Sequence, residues 1–435
     1  MVTCAVAFRS GREARRVNIA RIRKLKMVCV RSFCAIHPRK DMVEAVSALP
    51  YDVMNTEEAR AMVEGKPWSF LRISRPEVEF DRSHDPAGDE VYARSRENLA
   101  KFIKEGVMET DAEPQVYIYR QIMGDHVQTG VVACAHIDDY IENRIKKHEF
   151  TRKDKEDDRT RHVKETDAHT GPVFLAYRDD AAIDALVAAD TKGATLYDFV
   201  TEDGIRHIVW RSSTPKAYED AFEKVEACYI ADGHHRAASA VRAGAECRAE
   251  AADPKADAPY CHFLAVFFPA DQLKIMPYNR VLKDDKNRTD AEILDALSKV
   301  GKIEKTTLKT PECPGTYCIY LGKQWYLLTI DPATIDKDDP VASLDVDLLQ
   351  KRVLSPIFDI QDPRTDKRID FVGGIRGTGE LERRVDSGEM RLAVSMYPTQ
   401  IHQIFAVSAG GGVMPPKSTW FEPKLRSGLF VHALH

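Results

Sequence analysis

The stretch Cys228-Tyr-Ile-Ala-Asp-Gly-His-His-Arg-Ala-Ala-Ser-Ala-Val-Arg-Ala-Gly244 constrains this chain more than any other. Cys228 to Ala231 is a short apolar run of strand type, Asp232-Gly233 is a turn pair, and good helix formers follow until Gly244 supplies a stop. The pattern predicts strand, turn and helix in direct succession. At such a junction the first-turn N–H groups lack intrahelical partners and carry partial positive charge, so an anion is stabilised above the turn. His234, His235 and Arg236 fall at that position. A phosphate or similar anion held by Asp232, Gly233, His234, His235 and Arg236 is the expectation, with Asp232 also open to a plain reading as a helix cap. Neighbouring histidines diverge and no third ligand stands at metal-site spacing, so the motif yields no metal site.

The flanks read as interspersed short strands and helices, an α+β pattern. Gln115 to Met123 and Thr129 to Ala135 alternate as two strands around Gly124-Asp125. Pro67 to Ile73 reads as a strand, and Glu90 to Lys104 as a helix with Tyr92, Leu99 and Phe102 on one side. His262 to Pro269 is apolar enough to be a buried strand. Val372 to Gly379 is glycine-rich but lacks G-x-G-x-x-G spacing and a clear following helix, so it reads as a turn. The divisions expected are a basic extension over 1–26, an α+β lobe over 27–140, a phosphate-binding core over 141–283 and a second α+β lobe over 284–435.

Residues 1–26 hold eight Lys or Arg against the single acid Glu13. They read either as a transit segment or as an upstream extension foreign to the native chain. The net charge of −5 offers no general attraction for nucleic acid or anionic membrane. No apolar run approaches the roughly 18 residues of a membrane span, and the nine cysteines include no C-x-x-C pair. A cytoplasmic protein with small-molecule partners is expected.

Two further places carry candidate chemistry. Residues 141–170 are dense in charge of both signs, and Glu149 stands just before their helix, as a general base or as an ordinary helix-start acid. Gly410 to Lys424 is fixed by prolines and glycines, and Lys417, Ser418, Thr419 and Lys424 would form a second group of phosphate donors. Asn279-Arg280 follows Ile275-Met-Pro-Tyr278, with Arg280 open to a structural ion pair.

From Met27 onward the chain resembles the uncharacterised bacterial family called domain of unknown function 1015. The likeness runs through Leu49-Pro-Tyr-Asp-Val53, His148-Glu149, Gly171-Pro-Val-Phe174, Ala231-Asp-Gly-His-His-Arg236, Asn279-Arg280 and Met414-Pro-Pro-Lys-Ser-Thr419. The central motif is also similar to the phosphate-binding signature of the ParB/sulfiredoxin fold, whose members include sulfiredoxin, the ParB cytidine triphosphatases and the free L-serine kinases. Sulfiredoxin has a reactive cysteine where this chain has His234, and ParB proteins bring a helix-turn-helix and a basic surface that are not found here. The serine kinases have an Asp-Gly-His-x-Arg form, matched at Asp232, Gly233, His234 and Arg236.

That second resemblance implies a mixed α/β, multi-lobed protein with a ParB/sulfiredoxin-like nucleotide-binding core. It implies phosphorylation of free L-serine by ATP or ADP with Mg²⁺, or the reverse reaction. Glu149 and His234 would be catalytic, Asp232 to Arg236 with Lys417, Ser418 and Thr419 would hold phosphates, and Asn279 and Arg280 would hold the amino acid. The alternative is a non-catalytic regulatory protein that binds CTP or ATP.

Overall fold

The computed structural model describes residues 27–435, and the basic segment 1–26 lies outside the described residues. The protein is mixed α and β, built around a nine-stranded sheet. Its strands in chain order are β1 (Val30–Arg31), β2 (Tyr117–Met123), β3 (His126–His136), β4 (Ile145–Lys146), β5 (Val173–Tyr177), β6 (Tyr197–Val200), β7 (Arg206–Arg211), β8 (Cys228–Asp232) and β9 (His262–Pro269). They pair in the order β4-β8-β5-β9-β3-β2-β7-β6, with β1 against β3.

Every residue of β9 is buried. Phe263, Ala265 and Phe267 join the hydrophobic cluster on one face of the sheet, while Leu264, Val266 and Phe268 join the cluster on the other. A strand covered on both faces needs apolar residues at both parities, which is why this run lacks alternation. Two helices matter most for the site, α1 (Lys153–Thr166) and α2 (His234–Glu250). Ala237, Ala240 and Val241 of α2 pack on the first face, and Ile404, Val407, Phe421 and Phe430 from the C-terminal part of the chain cover the second.

A second sheet has six antiparallel strands: β10 (Tyr278–Leu282), β11 (Lys302–Lys305), β12 (Thr316–Leu321), β13 (Gln324–Thr329), β14 (Ile369–Gly373) and β15 (Leu392–Met396). Their order is β11-β13-β12-β15-β10-β14. The end of the chain then leaves this sheet. Val431–Ala433 pairs with Ala35–Pro38 on one side and Ala168–His169 on the other, tying together all three of the segments expected after residue 26. No helix among the described residues is long and apolar enough to cross a membrane.

Three local expectations are corrected. Gly244 lies inside α2 and does not end it; a Cβ there would fall 2.2 Å from the Tyr260 carbonyl oxygen, so the glycine serves close packing. Pro67 to Phe70 is a turn leading into the short helix Leu71–Ser74, where Phe70 at the cap and Ile73, three positions apart, are buried in one hydrophobic cluster. Such a short apolar run does not distinguish strand from helix by periodicity. The glycine-rich run is a strand–turn–helix unit, since β14 is followed by the helix Gly377–Asp386. Gly373 is required by Trp420, whose Cε2 would lie 2.6 Å from an added Cβ.

Candidate functional site

Distant pieces of the chain converge over the start of α2. The Tyr51–Val53 turn, the Glu149 turn, one face of α1, the β8–α2 junction, Tyr278 of β10 and the 417–424 loop enclose a cleft of about 640 Å³. Asp232, Gly233, His234 and His235 form one wall, with Glu149, Lys417 and Thr419 also lining the space. Arg152, Lys155 and Arg159 face it from α1 and its cap, at spacings of three and four that place them on one side of a helix.

β8 passes into α2 through Gly233 alone, which has φ of 87° and no side chain capping the helix. The first return bond runs from the Ala237 N–H to the Gly233 carbonyl at 2.9 Å. The N–H groups of His234, His235 and Arg236 are therefore unclaimed by the helix and free for an anion.

Asp232 is not the cap. Its Oδ1 accepts from Lys424 Nζ at 3.2 Å and its Oδ2 from Arg236 Nη2 at 2.7 Å. Burial pushes this carboxyl up, but the two cations outweigh it and hold its pKa at about 2. Arg236 likewise departs from its expected role as a phosphate donor. It is buried beneath the turn, where it also donates to the Pro172 carbonyl and lies 3.6 Å from Asp52. Glycine at 233 makes room for it, since an added Cβ would fall 2.9 Å from Arg236 Cζ.

The two histidines diverge. His234 is buried with its ring edge-on to His148, the centroids 4.5 Å apart and the planes at 86°. His235 accepts the Arg152 main-chain N–H on Nε2 at 3.1 Å. Burial lowers the pKa of both, which favours the neutral rings, and the Nε2 of His234 is buried without a hydrogen-bond partner.

Glu149 is half-buried in the cleft wall. Burial raises its pKa to about 7, with Lys417 and Lys424 pulling it down and Asp232 pushing it up. Lys417 is exposed at the rim with its ammonium 5.5 Å from the centre of the Tyr278 ring. Thr419 Oγ1 lies 3.3 Å from His148 Nε2. Ser418 is consumed by its own loop: its hydroxyl donates to the Pro415 carbonyl at 2.5 Å, and its carbonyl accepts from Thr399 at 2.7 Å. It is not available as a phosphate donor.

Asn279 and Arg280 do not line the cleft, which corrects their expected part in holding substrate. Asn279 Oδ1 accepts the Met396 N–H at 2.9 Å between two strands of the second sheet. Arg280 is buried and donates to the Tyr278 carbonyl and, at 2.9 Å, to the Lys417 carbonyl. Burial lowers its pKa to about 10. It supports the Lys417 loop from behind.

Sequence reasoning gave no site role to Tyr51, Asp52, Lys155, Arg159 and Trp420, all of which line the cleft. Arg159 lies over the Tyr51 ring at 4.4 Å and Lys424 over the Trp420 ring at 4.7 Å, cation–π contacts that fix both cations at the cleft wall. The signal for Tyr51 and Asp52 was present in Leu49-Pro-Tyr-Asp-Val53. No group of three or more His, Cys, Asp or Glu among the described residues is arranged to hold a metal ion.

Comparison with known proteins gives the following. No curated protein matches the chain. Among solved structures it is similar to a free serine kinase in complex with AMP, at 14% identity and a TM-score of 0.35, over 67% of this chain and 86% of that one. It is also similar to SbnI with a C-terminal truncation from Staphylococcus aureus, at 10% identity and a TM-score of 0.37, over 68% and 85%. A conserved hypothetical protein from Pyrococcus furiosus aligns at 14% identity and a TM-score of 0.33, over 67% and 90%. The model of the family described as protein of unknown function DUF1015 matches residues 30–347, and the chain belongs to that family.

Proposed function

We propose that this protein is a nucleotide-dependent phosphotransferase acting on a small hydroxy amino acid, with free L-serine the first acceptor to test and ATP or ADP the donor. One observation carries this reading: a carboxyl with a pKa of about 7, that of Glu149, faces a cleft floored by an uncapped helix N-terminus. Phosphoryl transfer asks mainly for charge stabilisation and a positioned hydroxyl. In this reading the terminal phosphates rest on the N–H groups of His234 to Arg236, and Lys417 faces the same charge from the rim. The acceptor hydroxyl oxygen forms the new bond to the terminal phosphorus, the bond to the bridging oxygen breaks, and the hydroxyl proton passes to Glu149. A base near its pKa at the working pH contributes on the order of 10² to 10⁴ in rate.

Mg²⁺ would supply charge neutralisation on the phosphate chain. The donor set fits a metal carried by phosphates better than one held by the protein alone. Asp232 is engaged by Lys424 and Arg236, and Asp52, another carboxylate lining the cleft, lies 3.6 Å from Arg236. The reading places the enzyme in the cytoplasm, with nucleotide and amino acid as its partners.

The test is ³¹P NMR of the protein with L-serine, Mg²⁺ and either nucleotide. O-phosphoserine should accumulate, and Glu149→Gln should abolish turnover while nucleotide binding persists. Binding of CTP or ATP with no consumption in the presence of serine or related hydroxy amino acids would replace this reading with the regulatory one.

A further inference from the structure

The tandem histidines touch the two ends of the turn that carries Glu149. His148 stands at one end, with its ring against His234. Arg152 stands at the other, as the N-cap of α1, with its N–H on His235. Between them Phe150 is 72% exposed, so the middle of the turn has its large apolar side chain in solvent and not in the core. The position of Glu149 therefore depends on the ends. Consecutive helical residues point about 100° apart, which lets one histidine reach each end. Further ties act on the same pieces: the Met414 N–H donates to the His148 carbonyl at 2.8 Å, and the Thr151 hydroxyl donates to Glu156 at 2.9 Å.

Direct phosphate binding suits His235 less well, since its Nε2 already accepts from Arg152; His234 packs against His148, and its own Nε2 is buried without a hydrogen-bond partner. Burial keeps both rings uncharged near neutral pH, so neither brings a cation to the phosphate. The main-chain N–H groups do not share that limitation.

We propose that His234 and His235 are positioning residues that clamp the Glu149 turn over the helix start, and that phosphate is bound there by the main-chain N–H groups. The proposal rests on the reading of Glu149 as the base, yet it can be tested without turnover. Glu149 faces Lys417 and Lys424 from the C-terminal loop and Asp232 from β8, with the neutral His148 and His234 rings beside it. Loosening the turn admits water to this group, which lowers its proton affinity toward that of an ordinary glutamate.

Full-length protein labelled with ¹³C-glutamate would be titrated by NMR, the Glu149 signal being identified by its loss in Glu149→Gln. Affinity for inorganic pyrophosphate would be measured by calorimetry in parallel. In His235→Leu, which removes the acceptor, Glu149 should titrate about one unit lower, a tenfold loss of proton affinity, with pyrophosphate affinity within about threefold of wild type. His235→Gln, which restores an acceptor, should keep the wild-type titration. So should His234→Phe, which keeps the ring edge and removes both nitrogens. These two near-isosteric variants carry the test if the leucine variant unfolds. An unmoved Glu149 titration in folded His235→Leu overturns the proposal, as does a loss of about tenfold or more in pyrophosphate affinity in His234→Phe. A wild-type protein that shows the clamp but transfers no phosphate upholds the clamp and sinks the phosphotransferase reading alone.

Discussion

Lys424 Nζ lies 3.2 Å from Asp232 Oδ1, across a sequence separation of 192 residues. This contact fastens the C-terminal loop to the turn that opens α2. Arg236 holds the other carboxylate oxygen at 2.7 Å, so one half-buried acid is shared by two buried cations.

Removing that acid takes the hydrogen-bonded carboxylate from Lys424 and leaves Arg236 with Asp52 at 3.6 Å. Asp232→Ala should cost about 3–5 kcal/mol, whereas Lys424→Met, which leaves Asp232 paired with Arg236, should cost about 1–3 kcal/mol. Calorimetric unfolding of the two variants measures the difference. Because the folded-state pKa is depressed from 3.8 to about 2, the stability Asp232 supplies is fully present above its ordinary value and disappears as pH falls through about 2. The two variants should therefore converge with wild type only in strong acid.

Glu149 has the opposite sign. Its folded-state pKa is raised from 4.5 to about 7, so the folded protein favours the protonated carboxyl. Stability is full below the ordinary glutamate range and is lost as pH rises toward about 7. Glu149→Gln, which is neutral throughout, should gain roughly 1–3 kcal/mol over wild type at pH 8 and nothing at pH 4. Thermal midpoints at the two pH values test this, and equal midpoints at pH 8 would show that Glu149 ionises without penalty. In the proposed reaction wild-type turnover should fall as pH drops through about 7, where Glu149 takes up its proton, and Glu149→Gln should show no turnover on either side of it.

The strand, turn and helix around Asp232 was legible in the sequence because local propensity, turn chemistry and apolar patterning agree there. β9 was legible for the same reason, its residues being apolar on both parities. Side-chain direction was not. Arg236 stands in a sequence position that suits a phosphate donor, but its guanidinium turns toward Pro172, 64 residues earlier, and toward Asp232. Arg280 and Ser418 are turned in the same way by carbonyls of the 415–417 loop. The roles of Tyr51 and Lys155 required knowing that the first lobe and α1 fold over α2, which depends on tertiary packing and not on either segment alone. Glu149 is the contrasting case: its place before a charged helix was readable, while the burial that raises its pKa was not.

Gly233 is under two constraints. Its φ of 87° lies in the left-handed region, and an added Cβ would meet the Arg236 guanidinium at 2.9 Å. The backbone cost alone is about 1–2 kcal/mol, and moving a buried arginine adds to it. Gly233→Ala should lower the thermal midpoint and also weaken pyrophosphate binding, because the N–H groups that face the cleft shift with the turn. A variant that loses stability but binds pyrophosphate normally would show that the turn geometry is not what holds the anion.

Arg280 separates a support from a grip. Its donors go to the carbonyls of Tyr278 and Lys417, and Lys417 itself holds a left-handed φ of 59° that a non-glycine residue adopts only when its surroundings enforce it. Without the guanidinium the Lys417 carbonyl loses a charged donor, a contribution of about 1.5–3 kcal/mol, and the loop has less to hold its strained residue. Arg280→Met should therefore raise the rate of proteolytic cleavage between Gly410 and Lys417 by about tenfold. Pyrophosphate affinity should fall in step, since Lys417 would no longer be fixed at the rim. An arginine whose role was to grip a substrate carboxylate would give the reverse result, with the loop as resistant to protease as in wild type and only amino-acid binding impaired.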